Sequence, residues 1–253
     1  MNFSWARVLL YSSFVAGLLA LSGCDQLPGK PKESDRWVPP DQIKDFKELF
    51  GTNCSACHGD DSSIGPSLSV QNPLYLAVVP KDVLKKIIAE GIKSTAMPAF
   101  AKANGGELTD EQIDIIVNNL AGKAAPQQTT GSNNSSAGSN LPPYSAALGD
   151  ADRGSEAYNQ YCASCHGQAG EGGKKAGSIV NPDYLHLVSD QYLRSVIIAG
   201  RPELEMPNYQ EFVKDHPMSP EDIANLVAWL ASHRHNANEA NAAVSPTATV
   251  SSQ

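Results

Sequence analysis

The sequence predicts an all-α protein built from two tandem helical domains joined by a flexible low-complexity linker. Three observations predict it. Distinct sequence patterns recur in the same order at offsets of 108 to 110 residues. Apolar residues fall at i, i+3, i+4 and i+7 behind residues that cap helices. No run alternates apolar and polar residues as a half-buried strand does. A composition of 41% hydrophobic and 18% charged residues over 253 positions fits globular domains rather than a wholly disordered chain.

Residues 1–23 read as an export signal. Arg7 supplies a minimal positive start, and residues 8–21 form an apolar run. That run is shorter than the roughly 20 residues a spanning helix needs, and it suits a signal core. It ends at Leu21-Ser22-Gly23-Cys24, which resembles the bacterial lipobox. The resemblance implies cleavage before Cys24 and acylation of that residue. The expected location is therefore the cell envelope, periplasmic or on the outer face of the cytoplasmic membrane, held by lipid. Residues 24–40, rich in proline, read as the lipidated tether.

The first repeat spans 41–122 and the second 147–235. Asn72-Pro73-Leu74-Tyr75-Leu76 recurs as Asn181-Pro182-Asp183-Tyr184-Leu185, and Met97-Pro98 recurs as Met206-Pro207. Thr109 is a candidate N-cap ahead of Ile113, Ile116, Val117 and Leu120. Ser219 caps its copy, with Pro220 at the first helical position, where a missing N–H costs nothing. Shorter helices ending in Ile87-Ile88 and Ile197-Ile198 stop at Gly91 and Gly200. Residues 123–146, rich in Ser, Asn, Gly and Gln, cannot bury a core and read as the linker. Residues 236–253 read as a disordered tail.

A net charge of −8 argues against a nucleic-acid partner. Both repeats are acidic, with 7 basic against 11 acidic residues in 41–122 and 7 against 12 in 147–235. Each carries one C-x-x-C-H motif: Cys54-Ser-Ala-Cys57-His58 and Cys162-Ala-Ser-Cys165-His166. That pattern marks attachment of a c-type haem. A thioredoxin-like pair would need a βαβ context that is missing. Two C-x-x-C pairs sharing one zinc ordinarily lie 15–20 residues apart, not a hundred.

With these motifs in place, both repeats resemble the class I cytochromes c. The resemblance implies two covalently bound haems c, attached through Cys54 and Cys57 and through Cys162 and Cys165. It implies His58 and His166 as proximal ligands and Met97 and Met206 as distal ones. Met218 stands where the first repeat has Leu108, so packing is its expected role. His186 and His216 have no counterparts in the first repeat and read as surface residues. The segment Gly65-Pro66-Ser67-Leu68 resembles the family loop whose proline carbonyl accepts the proximal imidazole N–H. The second repeat lacks that proline. Conversely, Gly154 matches the family glycine that lets the terminal helices cross beside an aromatic, here Trp229. The first repeat carries Phe46 and Asn119 at those two positions.

Six ligands on each iron imply outer-sphere electron transfer rather than catalysis. The expected protein is a membrane-anchored dihaem carrier working between a redox donor and acceptor, with a membrane respiratory complex as partner. A fixed haem subunit of a membrane oxidoreductase stays open as an alternative. A dihaem peroxidase or sulfur-compound oxidase would need an exchangeable iron position. The linker's length predicts that the second domain swings relative to the first.

Overall fold

The computed structural model describes residue 32 and residues 36–124 and 141–243. The expected signal segment, Cys24, most of the tether and linker residues 125–140 lie outside them. Among the described residues there are helices and three isolated bridges, with no strand, in keeping with the all-α prediction. None of these helices is long and apolar enough to cross a membrane.

The chain divides at Gln42. In the described part of the first unit, Pro40–Gln42 forms one 3-10 turn, and Trp37 and Val38 are exposed. The second unit holds both repeats. The first repeat comprises α1 (Phe46–Asn53), α2 (Ser55–His58), α3 (Pro73–Val78), α4 (Lys81–Glu90) and α5 (Asp110–Ala121). The second comprises α6 (Ala151–Tyr161), α7 (Ala163–His166), α8 (Pro182–Leu187), α9 (Asp190–Ala199) and α10 (Pro220–Ala243).

Local chemistry starts each helix where the sequence places it. Asp45 and Asp150 accept backbone N–H groups at the heads of α1 and α6. Asn72 and Asn181 do the same for α3 and α8, each followed by proline. Thr109 and Gln112 form a reciprocal capping box on α5, and Gln112 also donates to the Ile43 carbonyl at 3.0 Å. Ser219 and Asp222 bond reciprocally at the head of α10. That helix continues to Ala243, beyond the expected end at 235. Its last turns contain Ala237, Ala240, Ala242 and Ala243, strong helix formers that prolong a helix already nucleated on the core.

In each repeat the terminal helices pack together, α1 on α5 and α6 on α10. The apolar stripe of α5 (Ile113, Ile116, Val117, Leu120) is buried, and so are Ile223, Leu226, Val227 and Leu230 on α10. Met218 is 2% exposed within the second core, as its register with Leu108 predicts.

The two repeats also pack on each other, which corrects the expectation of a swinging second domain. Helix α9 is apolar on two faces. Leu193, Ile197 and Ile198 enter its own core, while Tyr192, Val196 and Ala199 join the core of the first repeat. Leu74 and Val78 of α3 pack in return against the second core. A helix with so wide an apolar surface needs a partner on both sides. The third, polar face of α9 is covered by the end of the linker: Arg194 donates to the Pro143 and Tyr144 carbonyls, and Gln191 to Tyr144.

Candidate functional site

The last four residues of each C-x-x-C-H motif form one short helix, and the first cysteine, Cys54 or Cys162, joins it directly to the first helix of its repeat. One helical turn separates the two cysteines of a pair, so both thiols lie near one face. All four are free thiols, Cys57 exposed and the others half-buried. Burial, followed by the charge of Cys57, pushes the Cys54 thiol up to about 11. Burial and then Cys165 push Cys162 up to about 12. Among the described residues no three His, Cys, Asp or Glu side chains gather as a shared zinc site would require.

His58 Nδ1 lies 2.8 Å from the Leu68 carbonyl oxygen, and His166 Nδ1 lies 2.9 Å from that of Gly177. A carbonyl only accepts, so Nδ1 carries a proton in each ring and donates it. Burial holds His58 below the usual histidine range, opposed by its bond to Leu68. Both rings are thus held in a fixed orientation by a backbone carbonyl. The first acceptor corrects the expected Pro66 carbonyl. Pro66 and Gly65 face the second repeat instead, where Arg201 donates to both. Leu68 and Gly177 each lie four residues before the asparagine that caps the next helix, so the missing proline of the second repeat leaves the imidazole bond in place.

The Met-Pro segments are held alike in the two repeats. Ile92 N–H donates to the Met97 carbonyl at 3.0 Å, and Arg201 N–H to the Met206 carbonyl at 2.9 Å. Gly91 and Gly200, with φ of 69° and 67°, let these segments pass directly over the ends of α4 and α9. A Cβ at Gly91 would sit 2.6 Å from Pro98 C, and one at Gly200 2.6 Å from Pro207 C and O. Both methionine side chains stay half-exposed, unlike Met218. His186 and His216 are exposed, the latter stacking on Tyr161.

The donor set suits haem c. Each repeat offers two thiols one turn apart, an imidazole with a fixed Nδ1–H, and a thioether on a braced loop. These are the groups a thioether-linked, six-coordinate iron uses. Arg201, Tyr192 and the carbonyls of Leu68 and Gly177 escaped sequence reasoning. Arg201 carried a signal, as a charged residue where the first repeat has Ile92 beside the capping glycine.

Comparison with known proteins follows the same division of the chain. The family described as cytochrome c oxidase, cbb3-type, subunit III matches residues 41–118 and 149–230. A cytochrome bc1 complex cytochrome c subunit of Mycobacterium tuberculosis is 26% identical over 204 residues, 74% of this chain and 62% of that protein. This chain therefore spans less than two thirds of that relative. A cbb3-type cytochrome c oxidase subunit CcoP of Azospirillum sp. is 28% identical over 145 residues, 52% of this chain and 41% of that protein. Among solved structures, a Kuenenia stuttgartiensis reducing HAO-like protein complex aligns with a TM-score of 0.43 at 14% identity, covering 78% of this chain and 99% of that one. The matched family segments contain both C-x-x-C-H motifs and both Met-Pro dipeptides, and the chain belongs to this family of cytochrome c domains, whose members hold haem c covalently.

Proposed function

We propose that this chain carries two haems c, one in each repeat, and passes electrons between redox partners of a membrane respiratory complex. The observation that carries the reading is the duplicated ligand geometry. In both repeats a C-x-x-C-H helix presents an imidazole whose Nδ1 is bonded to a backbone carbonyl, ten residues further on in the first repeat and eleven in the second. Cys54 and Cys57, and Cys162 and Cys165, would hold the porphyrins. His58 with Met97, and His166 with Met206, would hold the irons. Bound haem supplies a one-electron Fe(III)/Fe(II) couple. The soft, uncharged methionine sulfur favours the reduced state and raises the potential. With His58 and Met97, and His166 and Met206, holding the irons, the chain would leave no position for a substrate, and the bound groups would supply electron transfer rather than catalysis.

Relatives named as subunits of bc1 and cbb3-type complexes favour a fixed subunit over a freely diffusing carrier. Packing between the repeats supports a rigid two-haem wire over a swinging arm. The acidic repeats would dock on basic surfaces of their partners. Lipidated Cys24 would hold the chain at the cell envelope.

Pyridine haemochrome quantitation tests the count and should give two haems that acid-acetone does not extract. A count of one sinks the reading. Co-purification with a membrane oxidoreductase after mild detergent extraction should support the fixed subunit. Stoichiometric binding of CO by the reduced protein would instead favour a peroxidase or sulfur-compound oxidase.

A further inference from the structure

The second repeat reaches into the loop that holds His58. Arg201 directly follows the capping glycine of α9, and its backbone bonds Met206 twice, at 2.9 and 3.1 Å. Its guanidinium turns the other way. Nη2 donates to the Gly65 carbonyl at 2.7 Å and Nη1 to the Pro66 carbonyl at 2.9 Å. Nε donates to Glu203 at 2.9 Å, and the side chain is only 11% exposed. Nine residues earlier, on α9, the Tyr192 hydroxyl accepts the Leu68 N–H at 3.2 Å. The Leu68 carbonyl is the acceptor of His58 Nδ1–H. Three backbone groups within residues 65–68 are therefore fixed from the second repeat.

We propose that Arg201, assisted by Tyr192, is a positioning residue for the first haem site. From the second repeat it sets the strength of the His58–Leu68 hydrogen bond, and through it the reduction potential of the first iron. This rests on the reading of His58 and Met97 as ligands. An imidazole that donates Nδ1–H to a well-placed carbonyl is the more basic ligand, and a more basic ligand favours Fe(III). Loosening the 65–68 loop lengthens that bond and tips the first site toward Fe(II). Arginine is suited to the task because its planar fork reaches two carbonyls at once. Lysine keeps the charge but cannot span both. At the same register the first repeat has Ile92, which has no side-chain donor. The clamp thus runs in one direction and makes two otherwise equivalent donor sets unequal.

The test is a spectroelectrochemical titration of the full-length, haem-loaded chain carrying Arg201→Lys, and separately Tyr192→Phe. Met97→Ala assigns the first potential. Arg201→Lys should raise it by up to about tenfold in the reduced-to-oxidised ratio, which is 59 mV for one electron. Tyr192→Phe, which leaves the ring packing intact, should move it in the same direction by less and speed exchange of the Leu68 amide. The second potential and the Met–Fe(III) band should stay in place. An unmoved first potential in both variants overturns the proposal, as does a shift confined to the second. A haem count of one in the unsubstituted chain overturns the ligand reading and this proposal together.

Discussion

Tyr158 and Trp229 stack ring on ring where α6 crosses α10, with centroids 4.2 Å apart and planes inclined by 26°. The crossing is this close because Gly154, one turn before Tyr158, has no side chain. A Cβ there would lie 2.1 Å from the Asn225 carbonyl oxygen and 2.7 Å from Trp229 Cβ. The obstacle is chiefly backbone, so trimming the indole does not remove it. Gly154→Ala should cost about 1–3 kcal/mol or more by overpacking. Adding Trp229→Asn should not recover the loss. Chemical denaturation of the haem-loaded variants measures both, and recovery in the double variant would show that the indole alone sets the limit.

The two candidate sulfurs of the second repeat differ in burial. Met218 lies in the core with its N–H bonded to the Tyr209 carbonyl at 2.9 Å, whereas Met206 sits half-exposed on its braced loop. Met206→Ala should remove half of the long-wavelength Met–Fe(III) absorption and lower one of two potentials. Met218→Leu, nearly isosteric, should leave both potentials alone and cost under about 1.5 kcal/mol. The opposite pattern of spectra would transfer the ligand role to Met218.

Helix positions and ligand candidates were legible because they depend on short-range chemistry. Caps, prolines, glycine stops and the C-x-x-C-H spacing act within a few residues, and the duplication displayed each of them twice. Contacts between distant backbone groups were not legible. Leu68 rather than Pro66 accepts the His58 bond, and because any residue supplies a carbonyl, residue type does not mark the acceptor. At the crossing of α1 and α5, Asn119 does not stand in for Trp229. It is exposed and bonds the Ile115 carbonyl of its own helix, while Lys123 lies over the Phe46 ring. The docking of the repeats was partly written in α9, whose Tyr192, Val196 and Ala199 exceed what one core requires. Its counterpart α4 carries Lys85 and Lys86 in place of Arg194 and Ser195, and both lysines are exposed. That difference between the repeats marks the buried helix.

Because the repeats meet through α3 and α9, a charge placed in that seam should separate them. Val196 is half-buried against the first core. Val196→Asp would desolvate a carboxylate there, at a cost the packed arrangement avoids by opening. Small-angle scattering should show one compact particle for the native protein and a larger radius of gyration for the variant. Both haem spectra should be retained. An equally compact variant would mean that Arg201, the linker end and Asn72, whose side-chain amide donates to the Ala199 carbonyl at 3.3 Å, hold the repeats together without the apolar seam.

Membrane attachment should depend on Cys24 alone. The apolar run at 8–21 is shorter than the roughly 20 residues needed to span a bilayer. No described helix is both long and apolar enough to cross a membrane. Acyl chains add about 0.8 kcal/mol per buried CH₂, and one chain binds only marginally while two or three anchor firmly. Cys24→Ala, expressed with its own export signal, should therefore shift the haem-loaded protein from the membrane to the soluble fraction. Potentials and haem content should not change, since Cys24 lies outside both repeats. If the variant stays with the membrane through high salt but leaves it on detergent extraction, residues 8–21 are retained and insert. If high salt alone releases it, the acidic repeats are held by a basic membrane partner rather than by lipid.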